Sequence, residues 1–351
     1  MNVAIVGASG YGGLQLVNLL RRNKNYKITF LGGNKSCGNK WNKMFPFIDV
    51  ENDLIIEKYS TQKILETSDL ALLSLPNGLS SKITPELINC GIKVIDLSAD
   101  YRYKSLNKWK EIYNKEAEIY NRNDYELCLE SVYGIPEIYP NEIKNGRIIA
   151  CPGCYPTSAL IPLIPFLKQG IIESEDIIID SKSGLSGGGR NPKEHLLYSE
   201  AGEGISAYGI LNHRHTSEIE QILSSVSGMD VQLMFTPHLI PVVRGMFSTI
   251  YGRLNDPRLT PDDCKILLDN FYRDYPNIKV LPVGTYPSSK WAKNTNDVYI
   301  SVKVDNRSGK IILLSTIDNL LKGQAGQAVQ NLNLLSGYKI NDGLSLTSFY
   351  P

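Results

Sequence analysis

The chain has almost no surplus of charge: 37 Lys and Arg stand against 36 Asp and Glu, leaving +1 over 351 residues. Without a basic excess there is no footprint for a phosphate backbone, so no nucleic-acid partner is expected. Long apolar runs are missing too. No stretch reaches the ~20 uninterrupted apolar residues of a membrane-spanning helix, and the N-terminal MNVAIVGASGYGG turns glycine-rich before a signal-peptide core is complete. No membrane association is expected, and the reading is of a soluble, cytoplasmic protein. Histidine is scarce, with four residues, and the six cysteines are Cys37, Cys90, Cys128, Cys151, Cys154 and Cys264. A chain of full domain size needs no disulfide staples, so free thiols are expected. Only Cys151 and Cys154 form a C-x-x-C pair, and with no second pair no metal site is expected. Repeats, low-complexity tracts and Gly-, Ser- or Pro-rich linkers are also lacking.

What remains is an ordinary globular composition, 42% hydrophobic and 21% charged, with room for about two domains at ~150 residues each. Residues 3–6 read as a buried strand running into Gly7-Ala8-Ser9-Gly10-Tyr11-Gly12-Gly13 and then into the helical pattern of Leu14, Val17, Leu19 and Leu20. A second strand follows over 26–31. Strand, glycine turn, helix and strand within about 30 residues open a βαβ unit. Further strands over 70–75 and 93–98, with a helix over 80–90 between them, predict an α/β fold with a Rossmann-type, doubly wound parallel sheet. Beyond about residue 150 the strands lengthen and alternate, at 176–181, 231–235, 298–304 and 310–316, the last two joined by a hairpin loop over 305–309. This predicts an α+β domain with a mostly antiparallel sheet. A final helix over 323–335, with Ala325, Ala328, Val329 and Leu332 on one side, is expected to pack back on the first domain. The expected organisation is therefore 1–150 as a nucleotide-binding domain completed by 320–351, with 151–319 as a catalytic and oligomerisation domain.

The first glycine cluster places Gly7, Gly10 and Gly13 in a G-x-x-G-x-x-G spacing after a strand and before a helix, where backbone amides can approach a pyrophosphate. Ser9, Tyr11 and Gly12 share that turn. After the second strand no Asp or Glu waits for ribose hydroxyls. Instead the chain reads Gly32-Gly33-Asn34-Lys35-Ser36 with Lys40 soon after, and cationic and hydroxyl groups suit a 2′-phosphate, so NADP(H) is expected over NAD. A second cluster, Cys151-Pro152-Gly153-Cys154-Tyr155-Pro156-Thr157, precedes an apolar run. If a helix starts just after this loop, Cys154 sits at its N-terminus, where exposed amides favour a thiolate, making it a candidate nucleophile. Buried, inert thiols are expected for Cys37, Cys90, Cys128, Cys151 and Cys264. Proton partners are confined to His195, His213, His215 and His238. His213-Arg214-His215 concentrates two of them in one loop, ahead of a helix for which Ser217 and Glu220 form a capping-box signature, and spacing does not tell which histidine faces the thiol. Residues 181–190, with Ser183, Ser186 and Gly187, form a hydroxyl- and glycine-rich loop of the anion-nest kind. Arg102 and Arg244 each follow a predicted strand and suit a carboxylate or phosphate.

Taken together, residues 7–13, 97–102 (Leu-Ser-Ala-Asp-Tyr-Arg), 152–157 (Pro-Gly-Cys-Tyr-Pro-Thr), 183–190, 213–215 (His-Arg-His) and 322–328 (Lys-Gly-Gln-Ala-Gly-Gln-Ala) resemble the N-acetyl-gamma-glutamyl-phosphate reductases. These are the arginine-biosynthesis branch of the aspartate-semialdehyde-dehydrogenase-like superfamily. Gln324 departs from the small residue expected there, and the loop 32–40 matches only loosely. The resemblance implies a phosphorylating semialdehyde dehydrogenase in which the Cys154 thiolate attacks N-acetyl-glutamyl phosphate, phosphate leaves and NADPH reduces the thioester. In it His213 or His215 is acid and base, and Arg102, Ser183 and Arg244 contact substrate. Gly7, Ser9, Gly10, Tyr11, Gly12, Gly13, Lys35, Ser36, Ser186, Gly187 and Asn319 line the cofactor, with Lys322 and Gly323 on a C-terminal helix that closes over it. It also implies a homotetramer. Two other readings stand beside this one: a sibling reductase of aspartyl or amino-adipyl phosphate, and a non-enzymatic NADP-binding sensor, which would need no activated thiol.

Overall fold

The computed structural model describes residues 1–50, 53–113 and 122–348. The chain divides into two compact units, Met1–Pro152 with Gln324–Ser345, and Gly153–Gly323 with the residues from Leu346 on.

The first unit is built on seven strands, β1 (Asn2–Val6), β2 (Lys27–Gly32), β3 (Ile56–Glu57), β4 (Leu70–Leu73), β5 (Lys93–Asp96), β6 (Val132–Tyr133) and β7 (Ile148–Ala150). Their order is β3-β2-β1-β4-β5-β7-β6, and every neighbouring pair is parallel. Residues 3–6 of β1 and all of β4 are apolar without a break and buried, because a parallel strand is covered on both faces. The order reverses between β1 and β4, and the crevice beyond the C-terminal ends of such strands is where doubly wound sheets take their ligands. β5 stops at Asp96, short of the expected 98, because Ser98 turns its N–H (3.0 Å) and hydroxyl (2.7 Å) back to the Asp96 carboxylate. This local side-chain bond competes with the ladder. The C-terminal helix spans Gly326–Leu335 rather than beginning at 323, since Leu321–Ala325 forms a π-helical turn. Buried amides secure that helix to the unit: Asn331 Nδ2 donates to the Gly134 carbonyl (3.0 Å), and Asn333 accepts from the Tyr26 hydroxyl (2.8 Å).

The second unit holds β8 (Ile177–Gly184), β9 (Ser206–Ala207), β10 (Leu233–Ile240), β11 (Met246–Arg253), β12 (Ile278–Val280), β13 (Val298–Asp305) and β14 (Lys310–Ile317), ordered β12-β13-β14-β11-β8-β10-β9. The β8–β10 and β12–β13 pairs are parallel and the others antiparallel, which gives a mixed, mostly antiparallel sheet. β8 and β10 run past their expected ends at 181 and 235, to Gly184 and Ile240, because the alternation of buried and half-buried residues continues to Ser183 and Ile240. One face is packed by the helix Cys154–Lys168, whose residues from Tyr155 to Leu167 are all buried. Pro165 inside that helix has no N–H for the Ile161 carbonyl, and the Tyr272 hydroxyl donates to that carbonyl instead. The opposite face presents Ile178, Phe247, Thr249, Tyr251 and Leu314 half-buried. Among the described residues no helix is long and apolar enough to cross a membrane.

Candidate active site

In the second unit Cys154 is the first residue of the helix Cys154–Lys168, with Gly153 as its N-cap in extended conformation. Cys154 is half-buried, whereas Cys151 is buried. The amides of a helix's first turn have no intrahelical acceptors and favour negative charge. The N–H of Gly153 is fixed by the Glu218 carboxylate at 3.0 Å. Glu218 is fully buried, and its second oxygen lies 3.9 Å from His215 Nε2. The His215 ring is pressed against the same backbone: a β-carbon on Gly153 would lie 2.3 Å from its Nε2. The Cys154 loop, the imidazole and the carboxylate therefore form one contiguous group, and glycine at 153 is what permits the approach.

His213 occupies a different environment. Its Nδ1 accepts the backbone N–H of His215 at 3.1 Å, and its ring packs edge-on to Tyr155, Tyr208 and Phe235 with centroids 5.3–5.7 Å away. Burial, with Arg214 nearby, pushes its pKa down to about 4, so it is neutral at physiological pH. Tyr208 donates to Tyr155, which donates to the His238 carbonyl. Burial raises both phenols, that of Tyr208 to about 12, and the charge of Cys154 adds to the effect.

On its other side Cys154 meets Gly323, where a β-carbon would lie 2.8 Å from the cysteine Cβ. The Gly323 N–H bonds to the Asp318 carbonyl (2.9 Å). The buried Asp318 carboxylate accepts from Arg244 Nη2 (2.8 Å) and from the backbone of Leu320, Leu321 and Asn294. Arg244 Nε is buried with no hydrogen-bond partner among the described residues. Asn319 donates to Ser186 Oγ (2.9 Å) and accepts from the Gly245 N–H (2.8 Å). Beside them Ser183 Oγ bonds to the Gly184 carbonyl, and Gly187 packs near Ser183 and Asn319. The structure thus gathers Cys154, His215, Ser183, Ser186, Gly187, Arg244 and Asn319 in one unit. Lys322 in the same stretch is buried.

The glycine turn lies in the first unit. Gly7 has φ of 85°, and a β-carbon on it would lie 2.1 Å from the Ser74 carbonyl oxygen; one on Gly13 would lie 2.3 Å from the Gly7 oxygen. Both glycines are thus demanded by the turn itself. Gly10 is not, for a β-carbon there meets only the Gly7 oxygen at 3.6 Å and its φ is −75°. Among the described residues no atom requires glycine at 10, so the open space in front of it fits a phosphate approaching the backbone, as a dinucleotide would. Ser36 Oγ donates to Ser9 Oγ at 3.1 Å, joining the turn to the loop after β2. Lys35 and Tyr11 are exposed, while Lys40 pairs with Asp53 at 3.6 Å. Arg102, also in this unit, is buried, and its guanidinium donates to the carbonyls of Cys151 (2.8 Å) and Leu97 (3.3 Å).

Three expectations need correction. The helix after the histidines is His215–Ser227 with Arg214 as N-cap and no side-chain cap, so Ser217 and Glu220 form no capping box. Ser217 instead donates to the Arg214 carbonyl, and Glu220 accepts from the Leu233 N–H. Cys90 is exposed and Cys37 half-buried, not buried, because both lie at polar turns on the surface. Glu218 and Asp318 were missed. Once the helix starts at His215, Glu218 lies at i+3 on the same face, a spacing that exposes it; nothing in the sequence marks Asp318.

Residues 2–146 match the semialdehyde dehydrogenase NAD-binding domain and residues 154–319 the semialdehyde dehydrogenase dimerisation domain. In structure the chain is similar to aspartate semialdehyde dehydrogenase II from Vibrio cholerae, with a TM-score of 0.72 at 19% identity, over 96% of this chain and 98% of that one. In sequence it is 67% identical, over 351 residues and 100% of both chains, to the N-acetyl-gamma-glutamyl-phosphate reductase of Prochlorococcus marinus strain MIT 9215. A protein of the same name from strain MIT 9301 is equally similar, 67% over 100% of both chains. Identity of that order over the whole length places this chain in the N-acetyl-gamma-glutamyl-phosphate reductase family.

Proposed function

We propose that this protein reduces N-acetyl-glutamyl 5-phosphate to N-acetyl-glutamate 5-semialdehyde and phosphate with NADPH, a step of arginine biosynthesis. The observation that carries the reading is Cys154 at the first turn of a helix with His215 and the buried Glu218 gathered on its Gly153 N-cap. His215 takes the thiol proton, and the Glu218 carboxylate stabilises the imidazolium that results. The thiolate attacks the acyl carbon, the C–O bond to phosphate breaks, and the proton passes from His215 to the departing phosphate. Amides of the first helical turn face the negative charge that develops on the carbonyl oxygen. When bound, NADPH supplies hydride to the thioester carbon. The tetrahedral oxyanion then collapses, the C–S bond breaks, the aldehyde is released, and Cys154 departs as thiolate and regains a proton by way of His215.

Arg244, steadied by Asp318, takes the substrate's anionic group with Ser183 beside it, and Ser186, Gly187 and Asn319 border the nicotinamide. Arg102 supports the substrate side by fixing the Leu97 and Cys151 carbonyls. In the first unit the residues that would hold NADP(H) are Gly7, Ser9, Gly10, Tyr11, Gly12 and Gly13 around the pyrophosphate, with Lys35 and Ser36 at the 2′-phosphate. The dimerisation-domain match and the half-buried apolar face of the second sheet support self-association, which we propose ends in a homotetramer. Six free thiols suit the reducing cytoplasm.

The test is phosphate-dependent reduction of NADP by purified protein with N-acetyl-glutamate semialdehyde, set beside aspartate semialdehyde and beside Cys154→Ser. Turnover of the acetylated substrate, lost in the serine variant, is the expected result. Preference for aspartate semialdehyde would replace the substrate while keeping the chemistry. No turnover of either, with NADP still bound, would leave the sensor reading.

A further inference from the structure

Gly12 lies in the first turn of the helix Tyr11–Leu20, and its α-carbon is flanked by two polar side chains from distant parts of the first unit. A β-carbon built on Gly12 would lie 2.6 Å from Ser74 Oγ and 3.0 Å from Gln324 Nε2. Ser74 follows β4 at the point where the strand order reverses, and its N–H is held by the Val6 carbonyl (2.8 Å). Gln324 sits in the π-helical turn Leu321–Ala325, a departure from regular helix that is frequent at functional sites. Both residues are only partly buried, and neither the Ser74 hydroxyl nor the Gln324 carboxamide bonds to another group among the described residues. Two side-chain donors thus converge on one glycine of the turn with their hydrogen-bonding capacity unused.

We propose that the Gln324 carboxamide, with the Ser74 hydroxyl, is a positioning pair for the dinucleotide, donating to a pyrophosphate oxygen beside Gly12. The inference rests on the reading of this turn as the NADP(H) site and adds two groups to the backbone amides there. A short side chain at 324 would leave the space beside Gly12 open. Glutamine fills it with a donor, which couples the start of the C-terminal helix to the occupant of the turn through one hydrogen bond. Because the pyrophosphate is common to both nicotinamide dinucleotides, the pair contributes equally to NADPH and NADH and leaves discrimination to the loop after β2.

The experiment is titration of NADPH and of NADH into wild-type protein, Gln324→Ala, Gln324→Met and Ser74→Ala, by calorimetry or fluorescence, with a thermal melt of each variant. Expected is a Kd raised about fivefold or more in both Gln324 variants, by the same factor for the two dinucleotides, with a smaller rise in Ser74→Ala. Wild-type affinity in Gln324→Met would make the residue a space filler and overturn the proposal. Tighter binding in Gln324→Ala would do the same by showing that the side chain obstructs the site. A loss confined to NADPH would move the contact away from the pyrophosphate and overturn the assignment. Should Gln324→Ala melt below the working temperature, unchanged affinity in both Gln324→Met and Ser74→Ala overturns it. If wild-type protein binds neither dinucleotide, the cofactor reading falls together with this inference, whereas strong binding that no variant alters removes the inference alone.

Discussion

Two histidines two positions apart sit in different environments, and we propose different tasks for them. His213 is wedged among Tyr155, Tyr208 and Phe235, accepts a backbone N–H and is held neutral with its pKa near 4. His215 stands against Gly153, the N-cap before Cys154, with a buried carboxylate beside it. We predict that His215→Asn lowers kcat by about 10²-fold or more, the range lost with a general acid–base. His213→Asn, which preserves an acceptor for the His215 N–H, should cost less than about tenfold. Steady-state kinetics on the acetylated substrate check this, and equal losses would refute the division of roles. Glu218→Gln removes the charge that favours the imidazolium, so the acidic limb of the kcat/KM profile should move to lower pH as kcat falls. A fall in kcat with the limb unmoved would leave Glu218 only its bond to Gly153. At the glycine turn, Gly10→Ala should weaken NADPH binding at least severalfold and leave the melting temperature within a few degrees of wild type, since the folded chain has room for the methyl. Unaltered affinity would mean that nothing approaches the turn at Gly10.

At the level of elements, the sequence was readable wherever a pattern was local. The apolar strand and glycine spacing at 2–13, the hairpin of β13 and β14 and the helix starting at Cys154 follow from periodicity and turn chemistry within a dozen residues. What escaped depends on partners remote in sequence. The helix Cys154–Lys168 tolerates Pro165 because Tyr272, 111 residues away, occupies the carbonyl that proline leaves unbonded. The Ser-x-x-Glu spacing points to a later start for the helix His215–Ser227, but its side chains find other bonds, and the earlier start is what brings Glu218 beside His215. Asp318 acquires meaning only when Arg244 is folded against it. The proline compensation can be measured. Tyr272→Phe leaves a buried carbonyl unpaired and should lower stability by about 1–2 kcal/mol, seen as an earlier denaturant midpoint at unchanged slope. If stability does not alter, the helix needs no such partner.

Over the whole molecule the two sheets differ in how they are covered, and the difference bears on pH as well as on assembly. The parallel sheet is sealed on both faces, so a carboxyl at the end of β5 has no water to charge into. Burial, and after it the charge of Asp100, pushes the Asp96 pKa up to about 6. An unfolded chain would release that proton near pH 3.9. The folded state therefore holds the proton more tightly. Asp96 contributes most to stability below about pH 4, and the contribution is lost as pH rises through about 6. Asp96→Asn cannot titrate but retains polar atoms for Ser98. The stability of wild type relative to this variant should fall between pH 4.5 and 6.5, by an amount on the order of 1–3 kcal/mol, and a difference constant over that interval would show the carboxyl to be ionised throughout. Among the described residues the second sheet buries its side chains fully on one face, with Phe247, Thr249 and Tyr251 half-buried in consecutive positions of one row on the other. We predict that this half-buried row, in the domain that matches the dimerisation family, is a surface for another copy. Phe247→Glu places a charge in the middle of it, and such a charge cannot be desolvated without a partner. Light scattering on the eluting protein should then report a smaller assembly with the monomer still folded, whereas an unaltered mass would put the contact between subunits on another face.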